Sequence, residues 1–242
     1  MLQGYGGLNL PTDVPANQYV TFRGGKASAS RGVGLTINEG LDLFEPDALR
    51  YALAASLPEQ SDTELTVNEI TRRINEELVA TWGNLVNRVL SMVHTICDGV
   101  VPPVGERERN DTALLADMDA ALERVAAHID RVELRAGLQS GMAAAAAGNA
   151  YLNATEPWKA ARDDPERARV ILGTALSAVN GIRVCLSPYL PFSNAALDEI
   201  LGPVEGWCRT EVKPGRPIER PSPLFTKVDP TTLDGLVDDK PG

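Results

Sequence analysis

The stretch TVNEITRRINEELVATWGNLVNRVLSMVHTIC, residues 66–97, decides the fold. Val67, Ile70, Ile74, Leu78, Leu85, Val89 and Ile96 fall on one stripe at three-, four- and seven-residue spacing. That is the period of an amphipathic helix. Thr66 and Glu69 stand as a capping box ahead of it, and Gly99 with the Pro102–Pro103 pair stops it. The stretch predicts one helix of about 30 residues, roughly 45 Å at the usual rise.

The same period recurs on both sides. Leu49, Leu53 and Leu57 mark a shorter helix stopped by Pro58. Asp111 is placed to cap a third, through Leu114, Leu115, Met118, Leu122, Val125 and Ile129, with a break near Arg131. A fourth runs from Glu133 to Asn153 and holds GMAAAAAGNA, small residues that let two helices approach closely. A fifth spans Pro165 to Leu186, with proline in its first turn, and a sixth runs from Ser193 to just before Gly202. The expected fold is mainly α: an antiparallel bundle of five or so helices, 46–202, with an irregular arm before it (1–45) and an irregular tail after it (203–242). A short β piece is expected at Gln18–Phe22.

Composition narrows the function. A net charge of −10 counts against a protein that coats nucleic acid by charge alone, though not against one that docks RNA at a small site. Cys97, Cys185 and Cys208 are scattered and include no CxxC pair, so neither a disulfide framework nor a zinc knuckle is indicated, and free thiols in a reducing cytoplasm are expected. No signal peptide opens the chain and no apolar run is read as long enough to cross a bilayer, so no membrane partner is expected. His94 and His128 lie inside helices with no metal set around them, and Asp163–Asp164 reads as a helix-start pair.

Several stretches together resemble one family. LPTDVPANQYVTFRGGKASASRG (10–32), DALRYALA (47–54), INEELVATWGNLVNRVLSMV (74–93), the run from NAYLNATEPW (149–158) to EILG (199–202), and PLFTKVD (223–229) follow the order of the C-terminal half of the methionyl-tRNA synthetases. These are class I aminoacyl-tRNA synthetases. The first block resembles the approach to the family's lysine–serine signature loop. In the family that loop places positive charge where pyrophosphate leaves ATP. Lys26, Ser28, Ser30 and Arg31 match its positions residue by residue, with Gly32 following. Ala29 stands where a second lysine or a serine is expected, and Ala27 where a methionine or phenylalanine is. The resemblance therefore implies a degenerate ATP loop.

The resemblance also implies RNA contacts. In the family the bundle reads the CAU anticodon. Asn84 and Arg88, four apart on one helix face, would meet base edges, and Trp158, after Pro157, would lie under a stacked base. On composition alone an Asn–Arg pair is a solvated surface and a Trp beside Pro a packing plug; Trp82 and Trp207 are read that way. Arg72, Arg73 and Arg88 on the long helix, and Arg209, Lys213, Arg216, Arg220 and Lys227 in the tail, could touch phosphate. The expected partner is a methionine-acceptor tRNA, not DNA, with ATP and methionine handled by a separate catalytic half that would precede Met1; the chain alone is expected to be inactive and to bind no cofactor. The competing expectation is a synthetase-derived interaction or regulatory protein without catalysis.

Overall fold

The computed structural model describes residues 6, 9–22, 25–26, 34 and 36–230, with only the backbone at 25 and 26. A small sheet joins two short strands of the arm, β1 (Val20–Phe22) and β2 (Gly25–Lys26), to a third, β3 (Thr63–Glu64), in the order β2-β1-β3. β1 runs antiparallel to β2 and parallel to β3. The second pairing ties the arm to the residues just ahead of the long helix.

Two helices follow the first two strands, the first of them inside the arm that was read as irregular. α1 (Ile37–Leu43) was not expected, yet Thr36 and Glu39 form a full capping box: the Thr36 hydroxyl accepts from the Glu39 amide, and the Glu39 carboxylate from the Thr36 amide at 2.9 Å. α2 (Pro46–Ala55) starts with proline in its first turn. Its buried side is Ala48, Leu49, Tyr51, Ala52 and Ala55, whereas Leu53 is exposed, so the leucine spacing alone misplaces the face.

The long helix runs 67–96 without a break, but its pitch changes. α3 (Val67–Arg72) passes into a π-helical stretch (Arg73–Gly83) and then into α4 (Asn84–Ile96), with right-handed helical dihedrals at both joins. The rise per residue behind the 45 Å expectation therefore applies only to the α-helical flanks. The 3.6-residue stripe gave no sign of the wider turns, because Ile74 and Leu78 are buried in either geometry. The box at its start is half formed: the Thr66 hydroxyl accepts from the Glu69 amide, while the Glu69 carboxylate turns instead to Arg72 and Arg73.

Beyond it come α5 (Arg109–Asp130), α6 (Leu134–Thr155), α7 (Pro157–Asp163), α8 (Pro165–Leu186) and α9 (Pro191–Leu201). Asp111 does not cap α5. Glu108 does, and Asp111 is the third helical residue, its carboxylate accepting from the Glu108 amide. The Asp111 side chain is fully buried, in a bidentate pair with Arg167 at 2.5 and 2.9 Å, and accepts from the Tyr151 hydroxyl at 2.5 Å. Burial alone would push this carboxyl up; the Arg167 bonds, then those from Tyr151 and Glu108, outweigh it and hold it below its ordinary range. Asp164 caps α8 through the Arg167 amide, as a helix-start residue, while Asp163 closes α7.

α8 is the axis of the bundle, touching α4, α5, α6, α7 and α9. Contrary to expectation it is long and apolar enough, by length and composition, to cross a membrane. Of its most apolar window 83% is buried inside the bundle, so that apolarity is used in packing against its neighbours. The small residues of α6 act as expected. A Cβ on Gly141 would come within 2.8 Å of Leu186 in α8, and one on Gly148 within 2.7 Å of Leu85 in the long helix. The tail, 203–229, forms no helix among its described residues, but it is not loose. It buries Val212, Ile218 and Phe225 against the bundle, and the Ile218 amide donates to Gly99.

Candidate functional site

The close approach at Gly148 sets the next residue, Asn149, against the long helix. Its amide nitrogen donates to the Thr81 carbonyl at 2.9 Å and more weakly to Ala145 at 3.3 Å. Its oxygen accepts from Asn84 Nδ2 and from an Arg88 terminal nitrogen, both at 3.1 Å. A flipped amide would set oxygen against carbonyl and NH2 against guanidinium, so the four contacts fix its orientation. One turn further along α6, Asn153 accepts from the other Arg88 terminal nitrogen at 2.8 Å.

The chain then bends sharply. Glu156 takes left-handed dihedrals (φ 43°, ψ 58°), ending α6 and opening α7 in a single residue. Pro157 fills the first position of α7, where its missing amide hydrogen costs nothing. This bend carries Trp158 to the end of the Arg88 side chain, whose guanidinium carbon lies 5.9 Å from the ring centroid, within cation–π range. The indole is 39% exposed. It is a partly open ring, unlike Trp82, which is sealed in the core at 1%. Trp207 is as exposed as Trp158, but its indole nitrogen donates to the Leu122 carbonyl on α5.

The three residues singled out for RNA contact thus sit together on one face. Sequence reasoning missed the two that hold them, Asn149 and Asn153. Their signal was available: an asparagine pair four apart, hence on one helix face, just ahead of the Glu-Pro-Trp turn. Of the loop residues, Ser28, Ser30 and Arg31, with Ala27 and Ala29, lie outside the described residues; Lys26 is described by its backbone alone, paired with Thr21 in the small sheet.

Four of the other arginines are committed within the fold. Arg72 and Arg73 pair with Glu69 and Glu77, and Arg209 pairs with Asp119 and donates to Ser177. Arg216 donates to the carbonyls of Glu199 and Ile200 at the end of α9. Those four serve the fold. Arg88 is held by neutral amides, and among the described residues no carboxylate pairs with it. Its contacts engage two of five guanidinium donors, so a charge and further N–H groups remain for a ligand. Both histidines are committed locally, His94 to the Ile218 carbonyl and His128 to Glu133. Among the described residues no cluster of three or more His, Cys, Asp or Glu could hold a metal.

An open ring, a cation without counter-charge and fixed amides on a helical scaffold now have a family context. Residues 1–90 match the family of class I tRNA synthetases of the methionine type. Residues 101–237, more than half of the chain, match the anticodon binding domain of methionyl tRNA ligase, and the chain belongs to that family. It is 40% identical to the methionine–tRNA ligase of Roseiflexus castenholzii across 95% of its own length and 44% of that protein, and 37% identical to that of Corynebacterium jeikeium across 92% and 44%. Among solved structures, apo methionyl-tRNA synthetase of Mycobacterium tuberculosis superposes with a TM-score of 0.80 at 27% identity, over 93% of this chain and 45% of that one. The same organism's enzyme with methionyl-adenylate gives 0.81 at 29%, over 90% and 45%. The chain spans less than half the length of the relatives it matches.

Proposed function

We propose that this chain is the RNA-reading portion of a methionyl-tRNA ligase, binding the anticodon loop of a methionine-acceptor tRNA and serving methionine attachment together with a catalytic half. Unpaired loop bases are recognised by stacking and by hydrogen bonds to their edges. Trp158 offers the stacking face. Arg88 and Asn84 offer donors and an acceptor at its rim. Asn149 and Asn153 hold Arg88 in place before RNA arrives, which reduces the ordering cost of binding. The single observation that carries the reading is Arg88 itself: a guanidinium without a carboxylate partner among the described residues, locked by two amides beside a partly open indole.

ATP enters only through the family. The donor set that the resemblance assigns to it is one cation short at Ala29. Its two serines and Arg31 are outside the described residues, so the reading routes no step through ATP.

The test is equilibrium binding of the purified chain to a hairpin carrying a CAU anticodon and to hairpins with one anticodon base changed. The reading requires preference for CAU. Equal binding to all would end it and leave the interaction-protein alternative.

A further inference from the structure

The tail crosses the π-helical stretch at both of its ends. Near the start, the Asn75 side chain meets Val228 as a strand neighbour would: Nδ2 donates to the Val228 carbonyl at 2.8 Å, and Oδ1 accepts from the Val228 amide at 2.9 Å. At the far end the buried Phe225 ring lies against Gly83, 3.4 Å from where a Cβ would stand. Gly83 has ordinary helical dihedrals (φ −57°, ψ −42°), so what glycine contributes there is room for the ring.

π-Helices are mostly single-turn bulges, and an eleven-residue stretch needs support from outside. That stretch contains Thr81, whose carbonyl orients Asn149, and Asn149 in turn holds Asn84 and Arg88. The contacts form one continuous path, from the tail through the wide-turned helix to the guanidinium.

We propose that the segment Phe225–Val228 is a positioning strap: by gripping Asn75 and Gly83 it fixes the wide-turned helix and so aims the Thr81 carbonyl that sets the Asn149–Arg88 pair. Asn75 and Phe225 are then positioning residues that never touch RNA. The inference rests on the loop-reading function proposed for Arg88 and Trp158.

The experiment uses the full chain and three variants, Asn75→Ala, Phe225→Leu and Trp158→Ala, each measured for thermal midpoint and for binding to a CAU hairpin and to a one-base variant. For Asn75→Ala, affinity for the CAU hairpin is expected to fall about five-fold, the weight of one net hydrogen bond. The ratio between the two hairpins is expected to shrink, and Phe225→Leu, which keeps an apolar side chain, should sit between wild type and Asn75→Ala. A purely structural strap would lower the thermal midpoint and leave the ratio between hairpins unchanged. That pattern, or wild-type affinity in both strap variants, overturns the proposal. Wild-type binding by Trp158→Ala would instead overturn the underlying function, so the two failures are separable.

Discussion

The guanidinium of Arg88 lies 5.9 Å from the indole centroid of Trp158, and its two terminal nitrogens are held by Asn149 and Asn153. The two residues come from helices joined only through tertiary packing. Three features bring them together: the missing side chain at Gly148, the left-handed Glu156 and the proline that follows it.

Truncating the indole should be costly for binding and mild for folding. Base–aromatic stacking is worth about 1–3 kcal/mol per base, so Trp158→Ala should weaken hairpin binding roughly five- to 150-fold. Trp158 is not part of the buried core, so the thermal midpoint should move little. Trp158→Phe should retain part of the affinity. Titration and thermal melts of the three proteins check this.

Asn149→Ala should loosen the site without touching RNA directly. It takes the side-chain donor from the Thr81 carbonyl, which keeps the Asn84 backbone amide, and leaves one Arg88 nitrogen and the Asn84 side-chain amide without their acceptor. Partly buried polar groups left unsatisfied cost about 1–3 kcal/mol, so a modest loss of stability should accompany weaker binding. Asn149→Asp should not rescue, because a carboxylate has no donor for Thr81.

Gly148→Val tests the approach of the two helices. Its Cβ would meet Leu85 at 2.7 Å, and overpacking of this kind costs about 1–3 kcal/mol. Leu85 neighbours Asn84 and Gly148 neighbours Asn149, so both stability and hairpin affinity should drop. Gly173→Ala is the control: the atom nearest its added Cβ is 3.6 Å away, so it should leave hairpin affinity unchanged and, inside a helix, raise stability by about 0.5–1 kcal/mol.

The Asp111–Arg167 pair should govern acid stability. Its carboxyl is held below the ordinary range, so its contribution is present above the unfolded carboxylate value near pH 4 and is lost as pH falls through the depressed folded value. Asp111→Asn removes the buried partner of Arg167 and leaves only Glu108, 3.2 Å away, so at neutral pH it should cost less than the about 3–5 kcal/mol of a lone buried pair. The variant's stability should then fall less steeply on acidification. Denaturant melts from pH 7 to pH 3 measure both effects.

Much of this was legible in the residues, for identifiable reasons. The long helix, the α8 core and the small-residue face of α6 follow from apolar spacing and from glycine content, which local pattern carries well. The π pitch of residues 73–83 did not, because a stripe of buried residues looks the same at either pitch. Asp111 looked like a cap because a cap and a third-position acid differ by three places, and only Glu108's backbone decides between them. Within the site, Asn84, Arg88 and Trp158 came from the family pattern rather than from chemistry readable at those positions. Asn149 and Asn153 were overlooked because their importance lies in partners more than sixty positions away in sequence. The tail read as irregular, and residues 203–229 form no helix, but its grip on Asn75 depends on backbone groups that no side-chain pattern announces.

The central claim is that an RNA base stacks on Trp158, and the indole N–H resonances test it most directly. The chain has three: Trp82 in the core, Trp207 bonded to Leu122, and Trp158 beside Arg88. On titration with a CAU hairpin, the Trp158 resonance, identified by its loss in Trp158→Phe, should shift while those of Trp82 and Trp207 stay in place. Saturable hairpin binding with Trp158 unmoved, or with Trp207 moving in its stead, would contradict the account.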